Sequence, residues 1–464
     1  MFVTNTYVER RNKLKAKVGS GLLLIPGNEE APMNYAGNTY SYRQDSTFLY
    51  YFGLDRDGLF GVIDIDKDEE LLFGYDFTID DIVWMGPQPK IAEKAKKVGI
   101  NKTFPLEELS KYLEKAKSSG QTIHFLPQYR HDNMIHLEKL LGIKSYEING
   151  NRSEIFTKAV IEQRTVKSDD EIKEIESAID ISYEMYTSAM KFAKPGVTER
   201  EVYGILNGIA NSRGRGVSFP AICSIHGETL HNHHYNNTLK DGDLLLIDSG
   251  AESMLHYASD ITRAFPVNRK FSDKQKDIYN IVLASQLKAI DSVKPGIKFR
   301  SVHLAAAEVI AEGLRNLGLM KGDPKEAVAN GAHALFFPHG LGHAIGLDVH
   351  DLEGLGENLV GYDKDTERSD QFGLAYLRFA KDLEPGYALT VEPGIYFIPE
   401  LIDMWKAENK LSDFINYDKV EEYKDFGGIR IEDDIVVTDS GCRVLGNTPI
   451  PKSIEEVEAA CISN

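Results

Sequence analysis

The chain has 464 residues, 42% of them hydrophobic, and a formal net charge of −18. That length points to about two to three domains with ample apolar residues for large cores. The acidic balance excludes nucleic acid as a partner, because phosphate binding needs clustered Lys and Arg. No run of about 18 apolar residues is present to span a membrane. The polar start "MFVTNTYVERRNKLKAK" lacks the apolar core of a signal peptide. Three cysteines, Cys223, Cys442 and Cys461, are few, odd in number and far apart. They point to a reducing, cytoplasmic setting without a disulfide framework.

Residues 1–160 alternate short apolar runs with helical patterns. "GLLLIPG" (21–27), "LFGVIDID" (59–66), "ELLFG" (70–74) and "TIHFLPQ" (122–128) read as buried strands, and "EELSKYLEKAK" (107–117) as a helix. Strands interleaved with helices predict an α/β domain. Residues 166–193 read as a long amphipathic helix, with Ser168 and Glu171 as a capping box at its start. The domain boundary is expected just before it. A self-similarity follows. "KPGVTEREV" begins at Lys194 and "KPGIKFRSV" at Lys294; each follows one helical pattern and precedes another. Each Lys-Pro-Gly is a helix stop and turn. Strands come after each unit: "DLLLIDSGA" (243–251), then "ALTVEPGIYF" (388–397) and "GIRIEDDIVVTD" (428–439). The pattern predicts two similar halves with a cleft between their sheets.

"HGLGHAIGLDVHD" (339–351) holds three of the thirteen histidines. It is not a His-Glu-x-x-His zinc helix: Gly340 stands where the Glu belongs, and its glycines weaken a helix. It reads as loop running into strand, with Leu347 and Val349 extended. Four acids sit in apolar strand contexts: Asp248, Asp260, Glu392 and Glu432. A carboxylate there is costly unless paired, protonated or bound to metal. Arg430 and Arg263 could pair with single acids, but four acids with a histidine cluster favour metal. Oxygen-rich ligands without thiolate favour Mn²⁺, Co²⁺ or Zn²⁺ in a carboxylate-bridged pair. Two ions about 3.5–4 Å apart can share a water, lower its pKa and polarise a carbonyl oxygen, so acyl-bond hydrolysis is the implied chemistry.

The order Asp248, Asp260, His343, Glu392, Glu432 resembles the metal set of the pita-bread metallopeptidases, which include methionine aminopeptidase, aminopeptidase P and prolidase (Xaa-Pro dipeptidase). "ERRNKLKAKVGSGLLLIPG" and "YSYRQDSTFLYYFGL" resemble the creatinase-type N-terminal domain shared by aminopeptidase P and prolidase. The resemblance implies an α+β protein. A creatinase-like α/β domain would cover 1–160, and a duplicated pita-bread catalytic domain 161–464. "GLAYLRFAKDLEPGYALTVEPGIYFIPELID" and the long insertion up to "YKDFGGIRIEDDIVVTDSG" are similar to prolidases.

That likeness implies two divalent metal ions per chain, Mn²⁺ ahead of Co²⁺ or Zn²⁺. Asp248 would chelate one ion, His343 and Glu392 the other, and Asp260 and Glu432 would bridge them. His339 and His350 would flank the scissile carbonyl. Glu392 would also relay a proton, and Arg430 would orient a bridging acid. Arg378 would bind the substrate's C-terminal carboxylate as a bidentate pair. A further catalytic histidine is expected in "TLHNHHYNN": His231 first, His234 second, His233 also available. The implied substrate is a small peptide with proline at its second position, and the implied assembly a homodimer. Aminopeptidase P activity on longer peptides is the alternative. A non-catalytic binding module and a metal-free creatinase-like hydrolase stand further back, because both would lack the full acidic set. Two departures are visible. Asp248 and Asp260 stand one residue further apart than the family's pair, which a turn at "SMLHY" (253–257) would absorb. Ala264 replaces the usual Thr or Ser.

Overall fold

A computed structural model describes residues 1–462. The chain divides into two compact units, Met1–Arg164 with Gly354–Gly356, and Thr165–Glu353 with Glu357 onward. The division falls at 164/165, against the expected 160/161.

The first unit is a mixed five-stranded sheet in the order 102–105, 69–74, 60–64, 22–26, 123–124. Leu22–Pro26 is buried along its whole length because it is flanked on both sides, antiparallel to Phe60–Asp64 and parallel to Ile123–His124. Leu22, Leu24, Val62 and Phe73 pack against Leu109 and Leu113 of the helix Glu108–Ser118. The last strand is shorter than expected: it stops at His124, ahead of Pro127, which cannot donate to a ladder. The helix Ile79–Met85 begins with a Thr78/Asp81 capping box yet has no buried residue, and its Trp84 is 86% exposed.

The second unit shows the duplication. Helices Asp169–Phe192 and Glu199–Arg213 flank the first Lys-Pro-Gly turn, and Asp273–Ser292 and Phe299–Asn316 flank the second. Ser168 and Glu171 form the expected capping box. The two turns make the same backbone bonds. Gly196 N–H donates to Leu239, Leu239 to Val197, and Glu199 to Asn237; Gly296 donates to Leu383, Leu383 to Ile297, and Phe299 to Lys381. Both glycines are left-handed, at φ +95° and +79°. Three-stranded antiparallel sheets follow each unit, one of Ile222–Ser224, Leu244–Ser249 and Ile261–Pro266, the other of Ala388–Val391, Asp433–Val437 and Cys442–Val444. Gly394–Tyr396 and Gly428–Arg430 add a two-stranded ladder.

His303 and His333 are fully buried in this unit. Burial holds the His333 imidazole down to about 4. The unfolded ring takes a proton near ~6.5, so between these values the unfolded state binds more protons. Its contribution is complete above pH ~6.5 and is lost as pH falls toward ~4. We expect the difference in unfolding free energy between wild type and His333→Phe to shift by about 2 kcal/mol between pH ~7 and ~5, wild type weakening more. Urea titrations at the two pH values measure it.

Candidate metal centre and active site

Strand register gathers the acids. Val391 lies against Asp433 and Gly394 against Arg430, one unbroken register across two ladders. The ladder opens between them, where Pro393 lacks an N–H, and there Glu392 falls opposite Glu432. On its other side Glu432 is bridged by Thr262, and Thr262 lies opposite Asp248. Directly opposed residues on antiparallel strands share a face, so Asp248, Thr262, Glu432 and Glu392 form one row. Asp260, two residues before Thr262, joins the same face. His343 joins from the far side: Ala344 bridges Leu389, and the Thr390 N–H donates to His343 O at 2.9 Å. Asp248 and Glu392 also hold equivalent places in the two halves, the same distance past Leu239 and Leu383.

The Asp248–Asp260 hairpin keeps a constant register, with Thr262 against Asp248, Ile261 against Ser249 and Ala258 against Glu252. No bulge interrupts it. The longer spacing is taken up by the turn at 253–257, where His256 is left-handed at φ 68°.

The side chains close together. His343 Nε2 is 3.4 Å from Asp260 Oδ2 and 3.8 Å from Glu392 Oε1. Ligand atoms within 4.8 Å of one another group as Asp248–Asp260–Glu432, His343–Glu392–Glu432 and Asp260–His343–His350. Asp260, Glu432 and His343 each belong to two groups, and Asp260 and Glu432 are the two carboxylates among them. Burial and neighbouring carboxylates push Asp260 and Glu432 well above the usual carboxylate range. Burial also raises Glu392, against the pull of His343 and Arg430. Asp248 Oδ1 and Asp260 Oδ1 are buried without a hydrogen-bond partner. Hard oxygen donors, one imidazole and two unsatisfied carboxylate oxygens fit divalent cations, which would neutralise the crowd.

Several neighbours were not read from the sequence. Thr262 Oγ1 donates to Glu432 at 2.6 Å, and Arg430 Nε donates to Thr262 Oγ1 at 3.1 Å. Asp434 accepts from the Asp260 N–H at 3.0 Å. Arg430 Nη1 donates to the Tyr396 hydroxyl at 2.7 Å, and that hydroxyl lies 2.8 Å from His339 Nε2. His339 Nδ1 donates to Gly340 O at 2.7 Å, so both its nitrogens are engaged. Burial, with Arg430 nearby, holds the His339 ring neutral, its pKa down to about 3. Thr262, Asp434 and Tyr396 carry no local motif; they become neighbours of the site only through register.

Some expectations need correction. Arg430 pairs with Asp248, not with either expected bridging acid, because it follows the ladder and meets the first half's strand. Arg263 turns the other way and pairs with Asp433 at 2.6 Å, outside the row. Residues 339–351 do not run into a strand: apart from the Ala344 bridge they are irregular, with bends at 346–350 that include Leu347 and Val349. The glycines explain this path. A Cβ on Gly342 would sit 2.1 Å from Thr390 O, so glycine lets the chain press against the Glu392 strand and deliver His343. His231 and His233 line the cavity; His234 is not in its lining.

That cavity, about 600 Å³, is lined by the metal-type ligands, His339, His350, Arg378 and Arg430, together with apolar groups such as Phe219, Leu230, Phe372 and Leu401. Its size suits a small peptide.

Residues 173–439 match metallopeptidase family M24, and residues 7–124 match the aminopeptidase P N-terminal domain. A Xaa-Pro dipeptidase of Rattus norvegicus is 34% identical over 460 residues, 97% of this chain and 91% of that protein. A probable Xaa-Pro aminopeptidase of Uncinocarpus reesii is 32% identical over 459 residues, 96% of this chain and 91% of its own. Among solved structures, proline aminopeptidase P II of Yersinia pestis has a TM-score of 0.82 at 30% identity, covering 99% of each chain. The aminopeptidase PepP of Pseudomonas aeruginosa has 0.81 at 28%, covering 99% of this chain and 98% of its own. Row, duplication and full-length likeness agree: the chain belongs to metallopeptidase family M24, with an aminopeptidase P N-terminal domain ahead of its catalytic half.

Proposed function

We propose that this chain hydrolyses the bond before proline with two divalent ions, and that Xaa-Pro dipeptides are its preferred substrates. The carboxylate row carries the reading: four acids and His343 share one face of a cavity that also holds Arg378. The full-length similarity to Xaa-Pro dipeptidases supports the choice of bond.

Asp248, Asp260, His343, Glu392 and Glu432 would hold the ions, with Asp260 and Glu432 shared. Mn²⁺ suits the oxygen-rich donors best, and Co²⁺ or Zn²⁺ would also be accepted. Such a pair lowers the pKa of a water and polarises a carbonyl. The chain's own groups do the rest. Arg430 holds Asp248 in place. Glu392 would pass a proton to the prolyl nitrogen, which has no hydrogen of its own in the peptide. His350 and His231 would orient the substrate carbonyl, the neutral His339, with both nitrogens engaged, would flank it by shape alone, and Arg378 would take the C-terminal carboxylate.

Kinetics on Ala-Pro and Ala-Pro-Ala-Ala test the preference. We expect kcat/KM to favour the dipeptide by about tenfold, the scale of one charge-assisted contact. Preference for the tetrapeptide would assign the chain to aminopeptidase P activity, the reading that the solved relatives favour. Metal analysis should find about two equivalents per chain; none would return the metal-free and non-catalytic readings.

A homodimer and a cytoplasmic location complete the proposal. The exposed apolar residues Ile79, Val83 and Trp84 on one short helix support the first. Three free cysteines support the second. Among the described residues no helix is long and apolar enough to cross a membrane.

A further inference from the structure

We propose that Glu353 is a specificity-determining residue that relaxes the demand for a free C-terminal carboxylate by neutralising Arg378. This rests on the reading of Arg378 given above. Glu353 Oε2 accepts from Arg378 Nη1 at 2.7 Å and from His350 Nδ1 at 3.1 Å. Among the described residues its carboxylate joins Arg378 to His350, two of the residues that the proposed mechanism turns toward substrate. Arg378 and His350 line the cavity; Glu353 is not in that lining and acts through them. Glu357 also approaches Arg378 Nη1, at 3.5 Å, but is itself paired with Arg368. The backbone builds this placement at some expense: Leu352, a buried residue without glycine's freedom, is left-handed at φ 68° immediately before Glu353.

The consequence is electrostatic. A guanidinium facing water and one ligand carboxylate distinguishes strongly between an acid and an amide. One whose Nη1 already meets an internal carboxylate offers its remaining edge with much of its field cancelled. Glu353 also repels the incoming carboxylate across the guanidinium. At about 6 Å and an effective dielectric of roughly 40–60, suited to a guanidinium about a third exposed, that repulsion corresponds to about a five- to tenfold change in binding. The carboxylate of a dipeptide therefore contributes less than Arg378 alone would allow, and peptides longer than two residues are admitted.

The test compares Ala-Pro with its C-terminal amide in wild type, Glu353→Gln, Glu353→Ala and Arg378→Ala. Glutamine keeps the shape and an acceptor oxygen while removing the charge. Glu353→Gln should raise the Ala-Pro to amide ratio of kcat/KM about five- to tenfold, through a lower KM for Ala-Pro alone. Salt near ~0.5 M should shrink that gain. Arg378→Ala should bring the ratio close to one. An unchanged or lower ratio in Glu353→Gln, with Arg378→Ala collapsing it, overturns the role of Glu353 alone. A ratio untouched by Arg378→Ala overturns the reading of Arg378, and this proposal with it. Equal losses on both substrates in Glu353→Gln and Glu353→Ala would mark Glu353 as merely structural and also overturn it.

Discussion

Glu432→Gln is expected to lower kcat/KM on Ala-Pro by about 10³-fold or more and to reduce bound metal from about two equivalents toward one. Glu432 belongs to both glutamate-containing ligand groups, so losing its charge weakens both positions at once. Its orientation is fixed by the chain itself: it accepts the Thr262 hydroxyl at 2.6 Å, and Arg430 stands behind that hydroxyl. Glutamine fits the same space, so packing is preserved and the loss is chemical. A factor of 10³ equals about 4 kcal/mol of transition-state stabilisation, within what one shared ligand can supply. Steady-state kinetics and metal analysis on the same sample check it. Near-normal activity with full metal content would refute the shared-ligand role.

Arg263→Met is expected to destabilise the catalytic unit by about 3 kcal/mol. Arg263 is fully buried and spends its guanidinium on the backbone of three segments: Thr262 O at 2.9 Å, Glu432 O at 2.7 Å, and Pro451 O and Ile450 O at 2.8 and 3.1 Å. It also pairs with Asp433. Removing one partner of a buried pair costs about 3–5 kcal/mol because a charge is stranded. Asp433 keeps Lys452 at 2.7 Å and Gln286 at 3.0 Å, which places the loss at the low end. Because Glu432 O is among the lost partners, metal affinity should fall as well. Urea unfolding of the apo and metal-loaded protein reads both effects.

Much of this was legible beforehand, and the reasons are physical. Buried strands such as Leu22–Pro26 announce themselves as uninterrupted apolar runs, and the Ser168 box marks a helix start within one residue. The acids stood out because ionised groups are rare in such runs. What could not be read was lateral: that Thr262 lies between Asp248 and Glu432, that Arg430 meets Asp248, or that Tyr396 joins Arg430 to His339. These pairings depend on which strands become neighbours, and no local pattern encodes that. Residues 339–351 misled for a related reason. Their glycines serve close passage over Thr390, a demand imposed by another part of the chain.

The unbroken register on either side of Glu392 and Glu432 also bears on how such a chain can drift in length. The excursion over 397–427 leaves and re-enters the paired strands at Tyr396 and Gly428, which face each other. Segments gained or lost there leave the opposition of the two glutamates untouched. One residue inserted between Ala388 and Glu392 would instead turn Glu392 to the opposite side of its sheet. Indels accumulating across generations should therefore crowd into the excursion and spare the strands, whatever happens to the peptide preferences of the enzyme.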